Sequence, residues 1–171
     1  MIFASKEEYS HYCVQVKNQR YDFFVSLMFI PSHLREVAVA ICALDIELMS
    51  IHSNVKEEMM GHIRYAWWQE AIESIKNGEI RAQPLIQALA RAEINEDIVI
   101  PIINSYRENF PDKPSNSDNI LRDTIKKYLL SKADKKEIKK WEKSVSIINK
   151  HNAKHGNKKN WLLLSRLLFV F

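Results

Sequence analysis

A chain of 171 residues has the length of one ordinary domain and can bury roughly two-thirds of its unfolded surface. With 46% hydrophobic and 27% charged residues it is too apolar for wholesale disorder, and three glycines with five prolines supply too few turns for a β protein, which leaves long helices and short connections. The net charge of +4 sits in the C-terminal third, where ten lysines between Lys132 and Lys159 face only Asp134, Glu137 and Glu142, while two cysteines, Cys13 and Cys42, give no support to a disulfide framework and suit a reducing compartment.

The first residues, Met1-Ile-Phe-Ala-Ser-Lys-Glu-Glu, are acidic where a signal peptide is apolar and a presequence is arginine-rich, so the start reads as unprocessed and the location as cytoplasmic. In residues 6–16, Tyr9, Tyr12, Cys13 and Val16 recur at i, i+3, i+4 and i+7, one face of a helix. The apolar run 21–30 stops at Pro31, which pushes its predecessor out of the α region, and Ser32 is the expected N-cap of the next helix. That helix, 33–53, carries Leu34, Val37, Ile41, Leu44, Leu48 and Ile51 at helical spacing, broadened by Val39, Ala40 and Cys42. It is apolar on most sides and belongs in the middle of a bundle; without a full set of neighbours it would expose a large patch.

Asn54 reads as the next N-cap, with Glu57 completing a capping box, for a helix over 55–75 that Asn77-Gly78 ends. Gln83-Pro84 starts a helix through Ala92, and Asn95-Glu96-Asp97 caps another over 98–109, with Pro101 near its start. The segment 110–118, with two prolines and several turn formers, is a linker by composition. It divides a helical region, 1–110, from a lysine-rich helical segment, 119–171, with helices expected over 119–130 and 134–152 and a short terminal one ending at Phe171. The apolar stretch from Trp161 is too short to span a bilayer.

Three blocks carry a resemblance: Arg20-Tyr-Asp-Phe-Phe-Val-Ser-Leu-Met-Phe-Ile-Pro, Leu34-Arg-Glu-Val-Ala-Val-Ala-Ile-Cys-Ala-Leu-Asp-Ile-Glu-Leu, and Glu58-Met-Met-Gly-His-Ile-Arg-Tyr-Ala-Trp-Trp-Gln-Glu-Ala-Ile. With Gln83-Pro84 and Ala88-Leu89 after them, residues 17–92 resemble the squalene/phytoene synthase family, Trp67-Trp68 after Arg64 being the most specific part. The resemblance implies an all-α helical bundle of the isoprenoid-synthase type, here shortened. In the family's enzymes it implies a pocket for prenyl diphosphates, with two aspartate-rich helices holding magnesium against the leaving group. A diphosphate needs cations clamped by hard oxygen ligands before its carbon–oxygen bond ionises.

Matched without gaps, Met49, Ser50 and Ser53 stand where the first aspartate cluster is expected. Asp45 and Glu47 lie about 200° apart around the helix and cannot chelate together. Asp118 and Asp123 are five apart among lysines and do not make the second cluster. No metal ligands are therefore assigned, and magnesium enters only under an alternative reading, a prenyltransferase condensing isoprenoid diphosphates. The sequence resembles more closely the family's non-enzymatic branch, the respiratory complex I assembly factors, which implies a binding or assembly role and a peripheral place at the inner membrane.

Tyr21, Arg64, Trp67 and Trp68 are the substrate-pocket candidates. Arg64 either binds phosphate or pairs with Glu57, Glu58 or Glu70, and the two tryptophans either line a prenyl channel or pack the bundle. Candidate partners are respiratory-complex subunits or an isoprenoid diphosphate, with membrane contact through residues 161–171. Nucleic acid is not expected, because basic and aromatic residues are not interleaved. His151 and His155 lie at i, i+4 with no acidic or cysteine partner near them in sequence, which does not make a metal site.

Overall fold

The computed structural model describes residues 1–112, 114 and 116–155. Among them the regular elements are all helical: α1 (Lys6–Gln19), α2 (Tyr21–Leu27), α3 (Ser32–Asn54), α4 (Glu58–Glu73), a 3₁₀ turn (Ser74–Asn77), α5 (Pro84–Arg91), α6 (Glu96–Asn109), α7 (Ser117–Lys132) and α8 (Lys135–His155). The all-α bundle expected from composition and periodicity is the fold observed. The expected terminal helix ending at Phe171 lies outside the described residues.

α1 begins where Ser5 accepts the Glu8 N–H at 3.1 Å, with Glu7 and Glu8 in the first turn where the helix dipole favours negative charge. α2 ends at Leu27, and the carbonyls it leaves without helical donors are taken by a side chain from the next helix. The Arg35 guanidinium donates to the Leu27, Met28 and Ile30 carbonyls at 3.1, 3.2 and 3.0 Å. The expected cap at Ser32 is not what starts α3: Ser32 is its first residue, and Pro31, with an extended ψ of 139°, holds the cap position without a side-chain bond. Proline presets the chain direction there and gives its carbonyl to Leu34 and Arg35.

α3 is the axis of the fold. Ala38, Ala40, Ile41, Cys42, Ala43, Leu44, Asp45 and Leu48 are all fully buried, and α3 touches α1, α2, α4, α5, α6 and α7. The three alanines present no bulk, so these neighbours approach from several directions. No large apolar patch is left on α3, contrary to the expectation for a shortened bundle. Exposed apolar side chains lie on other elements: Met59 (75% exposed), Met60, Ile63 (54%) and Trp67 on α4, with Val14 on α1 and Leu130 on α7 among the rest.

The joint between α3 and α4 also differs from the sequence reading. Asn54 is the last residue of α3 rather than the cap of α4, and α4 begins at Glu58 with Glu57 at its cap position and no capping bond. The apolar stripe that continues to Ile51 keeps α3 helical past the local cap signal. Further on, local signals hold: Gly78 takes the left-handed conformation at φ 80°, Gln83 accepts the Ile86 N–H ahead of Pro84, and Asn95 accepts the Asp97 N–H.

Between α6 and α7 the chain is anchored, with Phe110 and Pro114 buried. α7 and α8 join the same core through Leu121, Ile125, Tyr128, Leu129, Ile138 and Trp141. Phe110 reaches under α4, making edge contacts with Tyr65 and His62 at 5.7 Å each and with His52 at 6.4 Å. It lies so close to Gly61 that a methyl group there would overlap the ring.

Gly61→Ala is therefore expected to destabilise the protein. The helix propensity gained is about 1 kcal/mol, and overpacking against the ring costs about 1–3 kcal/mol. Urea unfolding should show a lower midpoint for Gly61→Ala, and in a Phe110→Leu background the same change should be neutral or stabilising. A raised midpoint in the otherwise native chain would remove the close approach as a constraint.

Candidate functional site

Residues 61, 65, 68 and 72 fall on the inner face of α4, so Gly61, Tyr65, Trp68 and Ile72 are buried. Trp67, one residue on, turns to the rim and is 37% exposed, its ring 5.2 Å from that of Trp68 and nearly perpendicular to it. The Arg81 guanidinium lies over Trp67 at 5.1 Å and also pairs with Glu70 at 3.2 Å. Glu58 is 3.8 Å from His62. Of the acids expected to pair with Arg64, these two thus lie against other side chains, and Arg64 forms no ion pair among the described residues.

Arg64, Trp67 and Trp68 face α3 residues Glu47, Ser50 and Ile51 across a groove of about 190 Å³. Three of the four pocket candidates are brought together in this way. Tyr21 is not: it sits on α2 and packs with Val25 and Ile148 of α8. The groove holds one guanidinium, two indoles and one carboxylate, Glu47, which accepts from Gln15 at 3.4 Å.

The residues standing where the first aspartate cluster was sought turn inward on their own helix. Ser50 donates to the Glu47 carbonyl at 2.8 Å and Ser53 to the Met49 carbonyl at 3.0 Å, while Met49 packs against the core. Among the described residues, no three His, Cys, Asp or Glu are grouped to hold a metal ion. Cys42 is buried as expected and Cys13 half-buried, and burial raises both thiols.

A second constellation escaped sequence reasoning. Arg20, at the joint of α1 and α2, reaches Asp45 of α3 at 2.7 Å and Asp118 of α7 at 2.9 Å. Tyr106 of α6 donates to the other Asp45 oxygen at 3.1 Å. Asp22 pairs with Arg122 at 3.6 Å, and the Phe23 ring carries both guanidiniums, each 5.1 Å from its centroid. Burial pushes Asp45 up to about 6 against the opposing pull of Arg20 and Tyr106. Burial disfavours the charge on Arg20, but Asp45 and Asp118 outweigh it and raise its affinity for the proton. The only sequence signal was an acid in the middle of an apolar helix, which must find a partner.

The squalene/phytoene synthase family description matches residues 16–127. Similar curated proteins are the human "NADH dehydrogenase (ubiquinone) complex I, assembly factor 6", 25% identical over 108 residues, 60% of this chain and 32% of that protein, and its Bos taurus counterpart, 26% over 107 residues with the same coverage. The Dictyostelium discoideum homolog is 30% identical over 89 residues, 52% of this chain and 25% of that protein. The chain thus spans about a third or less of the length of these relatives. No solved structure matches.

Two expectations separate the packing residues from the groove. Arg20→Met leaves Asp45 buried without its charge partner and should cost about 3–5 kcal/mol in urea unfolding, whereas adding Asp45→Leu should recover much of it. Arg64→Ala, at an exposed position, should change stability by less than about 0.5 kcal/mol, against about 3–5 kcal/mol for Trp68→Ala. A large loss from Arg64→Ala would assign that side chain to the scaffold.

Proposed function

The chain belongs to the squalene/phytoene synthase family, and from that premise we propose that it acts by binding rather than by catalysis, as an assembly factor of the respiratory complex I type at a membrane surface. One observation carries this reading. On α3, where the resemblance calls for a carboxylate cluster, Met49, Ser50 and Ser53 supply no carboxylate, and the two hydroxyls are spent on their own helix backbone. Magnesium takes about six oxygen ligands and anchors to proteins through carboxylates. A groove with Glu47 alone lacks the acids to clamp a diphosphate through it, so the reading needs no metal cofactor. The similarity to proteins named for complex I assembly supports the same conclusion.

The binding face is the groove of Arg64, Trp67 and Trp68 together with the neighbouring stripe of Met59, Met60 and Ile63 on α4. Methionines adapt to a partner's shape, and a rim tryptophan supplies a large anchor. The partner class is a respiratory-complex subunit.

Incubation with farnesyl or geranylgeranyl diphosphate and magnesium should give no extractable condensation product; a metal-dependent product would overturn the reading in favour of a prenyltransferase. In cells lacking the gene, assembled complex I on native gels should fall. The intact chain should restore it, and an Ile63→Glu variant, folded by circular dichroism, should not.

A further inference from the structure

α8 lies beyond the family match at 16–127, and its charges are sorted by face. Its inner side is Ile138, Trp141, Ser144, Ile148 and His151, all buried. With successive residues 100° apart, Lys135, Lys136, Lys139, Lys140, Lys143 and Lys150 fall within an arc of about 140° on the opposite side. All six are exposed. Glu137 and Glu142 fall outside that arc and are engaged within the fold, Glu137 accepting the Asp134 N–H at 3.1 Å and Glu142 pairing with Lys126 of α7 at 2.7 Å. The result is a straight stripe of one sign, about 22 Å long at 1.5 Å per residue.

We propose that this lysine stripe on α8 seats the protein on an anionic phospholipid bilayer. Lysine is a compact point charge without the planar fork that arginine offers to individual phosphates and bases, so the stripe recognises charge density rather than one group. Among the described residues the one indole on α8, Trp141, faces the core and offers no platform for stacking nucleic-acid bases. A straight row along one helix matches a plane of headgroups, where each lysine close to the surface adds attraction that salt screens. In sequence, α8 is followed by Trp161-Leu-Leu-Leu-Ser-Arg-Leu-Leu-Phe-Val-Phe, and stable surface attachment takes two signals, one basic and one apolar. The inference rests on the functional reading above only in placing the protein at a membrane; it requires no complex I partner.

Co-flotation of the full chain with vesicles tests it. The chain should rise with phosphatidylcholine vesicles containing phosphatidylglycerol, stay behind with phosphatidylcholine alone, and be released by high salt. At roughly fivefold per lysine, Lys136→Gln, Lys139→Gln and Lys150→Gln together should weaken binding about a hundredfold. Lys6→Gln, Lys17→Gln and Lys56→Gln, three exposed lysines elsewhere, should change it little. Circular dichroism checks that both variants keep their helices.

Equal flotation with neutral vesicles, undiminished binding of the α8 variant, or displacement from the vesicles by a mixed-sequence single-stranded DNA would each overturn the proposal, the last assigning the stripe to nucleic acid. Failure here, with complex I assembly still dependent on the gene, removes the stripe and leaves the functional reading. Flotation as expected, with complex I indifferent to the gene, does the reverse.

Discussion

The contact between Arg20 and Asp45 is the constraint around which the bundle is arranged. α3 is enclosed by six other helices, so any polar group along its middle is cut off from water and must be matched inside the fold. Asp45 is that group. It draws Arg20 from the α1–α2 joint, Tyr106 from α6 and, through Arg20, Asp118 from α7. A buried ion pair adds little to stability over apolar residues of the same shape, because desolvation offsets the attraction. Its effect is on arrangement: a one-turn slip of α3 would take Asp45 away from both Arg20 and Tyr106. Phe23, held between the Arg20 and Arg122 guanidiniums, extends the same constraint to α2.

With α3 held in place, the groove follows from how α4 crosses it. Tyr65 donates to the Leu48 carbonyl and stacks on Tyr106, while Trp68 enters the core one turn further along, so Trp67 and Arg64 are left at the rim facing Glu47 and Ser50. The rim keeps the elements of recognition, indole surface and one guanidinium. The cation-clamping half of an ionisation site would have to come from α3, and there the side chains facing the groove are a methylene-rich acid and a serine turned back on its helix. The family match spans both helices of the groove, and on α3 the expected carboxylates are replaced by Met49, Ser50 and Ser53.

What the sequence makes legible is local. The α3 stripe, Gly78 after its turn, Gln83 before Pro84 and Asn95 before α6 are set by neighbours within four residues, and all are found where periodicity and capping rules place them. Asn54 and Glu57 show where such rules lose. Apolar contacts reaching Ile51 outweigh the capping signal at Asn54 and carry α3 through it, so that Glu57 holds the cap position of α4 without a capping bond. The Arg20–Asp118 bond joins residues 98 apart, and nothing local announces it. Spacing sets Asp45 and Asp118 against the acids nearest in sequence, Glu47 and Asp123, whereas the partner of both is the distant Arg20. For Trp67 and Trp68 the signal was present: spacing from Gly61 through Tyr65 to Ile72 puts Trp68 inside and Trp67 out.

The cover around α3 has a structural consequence that composition alone misplaces. An apolar central helix needs cover on every side, and α5, α6 and α7 provide it close to α3, with α8 closing over α2 and α7. The largest group of exposed apolar side chains among the described residues, Met59, Met60, Ile63 and Trp67, is on α4. The charge that cannot be buried collects on the outer face of α8. These surfaces differ in chemistry and lie on different helices, one adaptable and apolar, the other uniformly basic. A protein partner and a lipid surface would therefore use separate helices, with Trp68 of the α4 face also packing in the core.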